Sequence, residues 1–378
     1  MQKILFITNI SKGVSTFSLA SIKAAKELGL NYYLAGNFCI VTKEKILNDE
    51  KHFRITIKQI DLARSPYSLK NIEAYKKLTK LVKKENIDYI HCNTPVGGVL
   101  GRLVARKSGI KVIYQVHGFH FYTGAPIKNW LIYYPIEKCL AKKTDALITI
   151  NKEDYQRAIS KFKLRNNGKV YYVPGVGIDL SNFNLSNQTR TQKRKELCLE
   201  EKDVALISAG ELNENKNNKV IIEAISKIKN KNVHYFLCGI GPCENELKDL
   251  ANRLGIEKQI HFLGYRNDVR ELYQASDIFV MPSFREGLSR SIMEAMASAL
   301  PCIVSKIRGN VDLIDDFGGY TCYPNCSTEF SEALDNLIND SEKRRIMGRY
   351  NQNKICDFSI DKVSLLIRNI YENEFVLR

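Results

Sequence analysis

Several features are scarce in this sequence, and each scarcity excludes something. Proline occurs nine times and glycine 22 times in 378 residues, too few for a collagen-like or low-complexity chain. No window approaches the ~18–20 consecutive apolar residues of a membrane-spanning helix. The first apolar run, Ile4-Leu5-Phe6-Ile7, is shorter than the core of a secretory signal and is expected to be a buried strand. The ten cysteines form no Cys-x-x-Cys pair; the closest are Cys238/Cys243 and Cys322/Cys326. They are expected to be free thiols in a reducing compartment rather than disulfides or zinc ligands. Zinc-finger spacing, an RNP-like motif and a basic tail are missing, which argues against nucleic acid as a partner. Acidic residues are scarce in one half only. Residues 1–180 carry 30 Lys+Arg against 13 Asp+Glu, a net of +17, whereas residues 181–378 carry 27 against 28, a net of −1. So lopsided a charge favours an anionic partner for the first half.

Apolar runs of strand length alternate with amphipathic stretches of helix length. Residues 4–7, 89–92, 112–116 and 146–150 are expected strands, and 15–28, 69–84, 96–107 and 128–142 expected helices. The pattern then restarts, with strands at 204–209, 233–238, 278–281 and 303–305 and helices at 217–229, 244–254, 290–299 and 328–338. Such alternation predicts parallel, doubly wound α/β sheets. Val173-Pro174-Gly175-Val176-Gly177 punctuates the chain, and residues 181–192, rich in Asn, Ser, Gln and Thr, are expected to be a linker. Two domains follow, 1–180 and 181–360, with a last amphipathic helix at 361–378 expected to pack back on the first. Open α/β sheets bind ligands beyond the carboxyl ends of their strands, so two facing domains would make a cleft.

The strongest local signal is Ser283-Phe284-Arg285-Glu286-Gly287-Leu288-Ser289-Arg290-Ser291-Ile292-Met293-Glu294. A strand ends, a short loop carries Glu286 and Gly287, and a helix begins near Ser289. Its unpaired N–H groups and positive dipole end suit a phosphate. Glu286 at that position would also stabilise the dipole on structural grounds alone. Other expected strand ends carry His117-Gly118-Phe119-His120-Phe121-Tyr122, Gly210-Glu211-Leu212 followed by Lys216, Gly239-Ile240-Gly241-Pro242 and Arg308-Gly309-Asn310, and Phe262-Leu263-Gly264-Tyr265-Arg266 stands between expected elements.

Taken in order, these segments resemble those of the retaining glycosyltransferases of family 4. Glu286 and Glu294, with seven residues between them, match the family's E-x7-E motif. The resemblance covers most of the chain and implies the GT-B fold: two Rossmann-like doubly wound parallel-sheet domains facing a central cleft. It points to the subgroup that assembles capsule, exopolysaccharide or lipid-linked glycans, a hexosyltransferase activity. It further implies that 181–360 binds a nucleotide-sugar donor, with UDP-sugar expected, and 1–180 the acceptor. Glu294 would bond the ribose hydroxyls, as an acceptor-only carboxylate can. Glu286 would contact the transferred sugar. Gly287 and the N–H groups of Leu288 and Ser289 would face the diphosphate, and Lys216 would neutralise it. Gly210, Gly239 and Gly241 would line the same loops, and Arg266 would lie near the base. His117 would stand by the anomeric centre. Glu211 departs from the family pattern, which often has Arg there; Arg308 and Arg285 are candidates for the missing cation. No cofactor is implied, and no metal; the chain has no Asp-x-Asp triplet.

The acceptor implied is a polyprenyl-diphosphate-linked glycan at the inner face of the cell membrane. Gly13, the only glycine in Ser11-Lys12-Gly13-Val14-Ser15, is a candidate for acceptor contact. Phe119, His120, Phe121, Tyr122, Lys128 and Trp130 put aromatics beside lysines, a composition suited to a membrane interface. The basic stretch 69–84 adds attraction to anionic lipid. Two alternatives stay open: a UDP-sugar epimerase of the same fold, and a non-catalytic partner subunit.

Overall fold

The computed structural model describes residues 1–183 and 186–375. It divides into two compact units. Unit 1 is Met1–Gly177 with Ile360–Arg378, and unit 2 is Ile178–Ser359.

Unit 1 holds strands β1 (Lys3–Ile10), β2 (Asn31–Asn37), β3 (Thr56–Gln59), β4 (Tyr89–Asn93), β5 (Lys111–Val116), β6 (Ala146–Thr149) and β7 (Lys169–Tyr172). They form one parallel sheet in the order β3-β2-β1-β4-β5-β6-β7. Side chains alternate between faces. Leu5, Ile7, Cys92 and Tyr114 pack on one side, and Ile4, Phe6, Tyr89 and Ile113 on the other. Helices cover both faces, which is why β1 and β4–β6 read as continuous apolar runs. The C-terminal helix Ile360–Glu374 returns to unit 1 and packs against the helix Thr16–Glu27. Its Tyr371 hydroxyl lies 2.6 Å from Nδ1 of His91 on β4. Residues 376–378 of the expected last helix lie outside the described residues.

Unit 2 repeats the plan with β8 (Val204–Ala209), β9 (Val233–Cys238), β10 (Ile260–Gly264), β11 (Ile278–Met281), β12 (Cys302–Ser305) and β13 (Gly319–Cys322), in the order β10-β9-β8-β11-β12-β13. Two doubly wound parallel sheets of seven and six strands make the architecture GT-B.

The expected linker at 181–192 needs correction. A short 3-10 turn, Leu180–Phe183, precedes a helix, Asn187–Glu196; positions 184 and 185 lie outside the described residues. The polar composition is that of a helix held by cations rather than by apolar burial. Arg190 and Arg194 both bond Asp277, at 2.6 and 3.1 Å, and Arg190 also donates to the carbonyls of Gln274 and Ser276.

Candidate functional site

Chain order reverses beside β1 in unit 1 and beside β8 in unit 2. Ligands of open α/β sheets bind at such switch points, beyond the strand ends. In unit 2 the segments that leave β8 and β11 are stapled together there. Phe284 N–H donates to the carbonyl of Asn215 at 2.8 Å, Asn215 Nδ2 to the carbonyl of Arg285 at 3.1 Å, and Asn217 Nδ2 to the carbonyl of Pro282 at 3.1 Å. These two asparagines belong to no motif of their own; the signal in the sequence is the density of asparagine in Asn213-Glu214-Asn215-Lys216-Asn217-Asn218.

The staples bring Lys216 and Glu286 together. Lys216 Nζ lies 2.7 Å from Glu286 Oε1, with both side chains mostly buried. Gly210 sits directly behind Lys216, since a Cβ there would meet its side chain at 3.3 Å. Gly239 and Gly241 hold the next loop against this one, where a Cβ would fall 1.8 Å from the carbonyl oxygen of Gly210 and 2.2 Å from that of Leu212. The contact is backbone on backbone, and no side chain fits.

On the far side of Glu286, Arg308 is buried and its Nε donates to the Glu286 carbonyl at 3.3 Å. Gly309, at φ +81°, packs on the Gly287 carbonyl. Leu288 and Ser289 follow, and Ser289 begins the helix Arg290–Ala297 without a side-chain cap bond of its own. Its hydroxyl lies 3.1 Å from that of Ser291. Glu294 accepts from Arg290 Nε at 2.8 Å and is largely buried, while Arg290 is exposed. The loop cluster thus assembles Gly210, Lys216, Glu286, Gly287 and Arg308. Of the two candidates for the missing cation, Arg308 belongs to this cluster. Arg285 has an exposed residue position, and its carbonyl is used by Asn215.

Arg266 is placed differently. Its guanidinium grips Asp268 through two nitrogens, at 2.7 and 2.6 Å, and reaches Glu196 at 2.8 Å. Lys193 closes the network at 2.7 Å from Asp268. The bond from Arg266 holds the Asp268 carboxyl well below the usual range. Arg266 therefore ties the helix Asn187–Glu196 to the segment after β10.

In unit 1, His117 follows β5 directly. Phe17 meets its ring edge-on at 4.8 Å, and neither ring nitrogen has a hydrogen-bond partner. Burial pulls its pKa down to about 4, so the imidazole is neutral near pH 7. Gly13 is buried at φ +95°, and Asp49 fills the space where its Cβ would stand, at 2.3 Å. Asp49 also accepts from Val14 N–H at 2.9 Å, so a packing demand accounts for this glycine.

The expected aromatic membrane cluster needs correction. Phe119 and Phe121 are core residues, stacked on each other at 4.7 Å. Trp130 packs inward on Phe121 at 5.6 Å, with Arg157 over its indole. His120 stacks on Tyr133, and Tyr122 is half-buried. The helix Ile127–Ala141 turns its aromatic side inward, and Glu137 locks it there through two bonds to Arg102, at 2.7 and 3.1 Å. What that helix exposes is aliphatic. Ile127 and Leu131 are 78% and 71% exposed, with Ile132 and Ile136 also outside and Lys128 and Lys138 beside them. Composition alone could not tell which side of this helix faces the sheet, because both sides are apolar.

Among the described residues, no group of three or more His, Cys, Asp or Glu side chains is placed to hold a metal ion, and no helix is long and apolar enough to cross a membrane.

The chain matches known families over both units. Residues 3–151 fit the family model of glycosyl transferase 4-like proteins, and 189–354 that of glycosyl transferases group 1. A putative glycosyltransferase of Bacillus subtilis, EpsD, is 35% identical over 377 residues, covering 98% of this chain and 96% of the relative. The chain belongs to the group 1 glycosyltransferases. An Escherichia coli relative of this glycosyltransferase is named UDP-Gal:alpha-D-GlcNAc-diphosphoundecaprenol alpha-1,3-galactosyltransferase. It is 32% identical over 318 residues, covering 82% of this chain and 81% of the relative. Among solved structures, Anabaena HepE in complex with UDP and glucose superposes with a TM-score of 0.80 at 20% identity, covering 99% of this chain and all of that one. That likeness supports the fold.

Proposed function

We propose that this glycosyltransferase moves a sugar, with retention at the anomeric carbon, from a UDP-sugar to a polyprenyl-diphosphate-linked glycan, in cell-surface polysaccharide assembly at the cytoplasmic membrane face. The observation that carries the donor half is the Lys216–Glu286 contact of 2.7 Å beside the start of the helix Arg290–Ala297. A diphosphate arriving there competes with Glu286 for the Lys216 ammonium. Lys216 then balances the charge that grows on the leaving diphosphate, and Glu286 is released toward the hydroxyls of the transferred sugar. Arg308, held against the Glu286 backbone, is the second cation, in the role that Glu211 cannot fill. Glu294 holds the ribose. With two side-chain cations and a helix N-terminus serving the diphosphate, the reaction is proposed to need no bound metal.

The acceptor half rests on the name of the Escherichia coli relative, which specifies a diphosphoundecaprenol carrier, and on the exposed aliphatic stripe of the helix Ile127–Ala141. Flanked by Lys128 and Lys138 in a half of net charge +17, that stripe suits an anionic bilayer.

The test is nucleotide binding by the full chain in chelator, wild type beside Glu294→Ala. UDP at 100 times its dissociation constant should stabilise the fold by ~2.7 kcal/mol. The variant should bind UDP at least about ten-fold more weakly, as expected for loss of hydrogen bonds to a charged group. Equal UDP affinity in the two proteins would refute the donor site. Conversion of UDP-sugar to an isomer without any acceptor would identify an epimerase instead.

A further inference from the structure

A cleft of about 730 Å³ opens in unit 2 beside the amino ends of β8 and β11, where Val204 begins one strand and Asp277 precedes the other. The donor loops leave the carboxyl ends of the same strands. The length of β8, Val204–Ala209, sets the two places roughly 17 Å apart at ~3.3 Å per residue. Five cations line the cleft: Arg190, Arg194 and Lys195 from the helix Asn187–Glu196, Lys202 from the turn before β8, and Arg344 from the helix Ser341–Lys354. Three carboxylates stand among them, and two are already committed. Asp277 accepts from Arg190 at 2.6 Å, from Arg194 at 3.1 Å and from the Ala205 N–H at 2.8 Å. Asp203 accepts from the Glu200 N–H at 2.7 Å and lies 3.8 Å from His234. The third, Glu201, is exposed. Arg344 is the cation left over. Its Nη1 donates to the carbonyls of Leu337 and Ile338, at 2.6 and 2.9 Å, which end the helix Ser327–Ile338. Among the described residues its Nε and Nη2 have no hydrogen-bond partner, and it forms no ion pair. Burial pulls its pKa down, and Arg190 and Arg194 add to that pull against Asp277 and Asp340. Lys195, exposed at the same cleft, also lacks a carboxylate partner among the described residues. A half-buried guanidinium crowded by two others is a place where an anion lowers the energy.

We infer that this cleft binds a phosphate group, free in solution or carried by a small soluble molecule, at a site separate from the donor loops. The inference does not depend on the proposed transfer reaction. The free edge of the Arg344 guanidinium presents two N–H donors in a fork that meets two phosphate oxygens at once. Lys195 supplies a mobile point charge for a third. A carboxylate has only two oxygens and would leave one of these cations unanswered, and a metal ion would meet five like charges. A volume of about 730 Å³ lies within the range of roughly 300–1,000 Å³ usual for small-molecule sites. It exceeds what a bare phosphate fills, which leaves room for an organic part along Leu199 and Val204. The bound group would bridge the helices Asn187–Glu196 and Ser341–Lys354, which come from distant parts of the chain.

The experiment is isothermal titration of the full chain with ribose 5-phosphate and with inorganic phosphate, each with and without saturating UDP. The wild type should bind at least the sugar phosphate, and UDP should not displace it. Inorganic phosphate binding as tightly assigns the site to free phosphate, and weaker binding assigns it to an organic one; either supports the inference. Arg344→Gln should weaken the binding at least about ten-fold, as for a lost hydrogen bond to a charged group. Arg344 also holds the end of a helix, so Lys195→Glu, at an exposed position, keeps the test open if the first variant does not fold. Charge reversal there should cost a similar factor, about ten-fold. Lys163→Glu makes the same charge change at an exposed position of unit 1 and should leave the binding as it is. A wild type that binds neither anion overturns the inference, and so does undiminished binding in a folded Arg344→Gln or Lys195→Glu. An equal loss in Lys163→Glu would trace the binding to diffuse attraction by the basic half and overturn it too. Displacement by UDP would put the phosphate in the donor loops, which strikes this inference while leaving the proposed function in place.

Discussion

Gly309→Ala should cripple donor binding while leaving the fold formed. A Cβ at this position would stand 2.2 Å from the carbonyl oxygen of Gly287, 2.8 Å from its carbon and 3.3 Å from Cα of Leu288. Real contacts do not come that close, so the loop that carries Glu286 must retreat by roughly 1 Å, in a region packed as densely as a crystal. Alanine also resists the local φ of +81°. Left-handed backbone and overpacking together cost about 2–5 kcal/mol. For a unit of the size of Ile178–Ser359, that lowers its melting temperature by about 5–15 °C. A retreat of that size at a reacting centre costs activity on the order of 100-fold. Gly255→Ala is the control. Gly255 has φ +65° but nothing within 4 Å of its missing Cβ, so it bears the backbone term alone, about 1 kcal/mol. Calorimetry and UDP titration of both variants decide the matter. If Gly309→Ala melts and binds UDP as Gly255→Ala does, the packing of Gly309 on Gly287 does not position the donor loop.

Three further outcomes follow from the geometry. Glu137→Ala should destabilise unit 1 by about 3–5 kcal/mol, since it strands a buried guanidinium; Arg102 is 1% exposed and stacked on Tyr114, and urea unfolding followed by Trp130 fluorescence reads the loss. Ile127→Glu with Leu131→Glu should weaken co-sedimentation with anionic vesicles at least about ten-fold, at about 1.5 kcal/mol or more per aliphatic side chain removed from the bilayer, and leave UDP binding as it is; unchanged vesicle binding would remove this helix from the membrane contact. Stability should also fall in acid. Burial holds His91 at about 3 and His261 at about 4, whereas an unfolded histidine titrates near ~6.5. Between those values the unfolded chain binds more protons, so this stability is whole above the unfolded value and is lost as pH falls toward the folded one. Replacing His91 with Gln should flatten the decline by up to ~1.4 kcal/mol per pH unit; an unchanged slope in urea titrations across that window would refute the assignment.

The parallel α/β class and the central strands are legible in the amino-acid sequence alone. Val204–Ala209, Val233–Cys238 and Ile278–Met281 match their expected bounds residue for residue, because a strand buried on both faces must be apolar throughout. The strands β3, β7, β10 and β13 were not legible. They lie at sheet edges, where partial exposure breaks the apolar run. β2, though internal, was missed too, its apolar residues mixed with asparagine and glycine in Asn31–Asn37. The motif around Glu286 was visible as spacing, but its contact with Lys216, 70 positions earlier, and the asparagine staples that impose it come from pairing β8 with β11. Tertiary structure also decided which way the aromatic helix faces. Phe121, Trp130 and Tyr134 go inward because Arg102, buried against Tyr114, must meet Glu137, and this sends Ile127 and Leu131 outward. Local periodicity records how apolar a face is. Which of two apolar faces is buried depends on a charge across the domain.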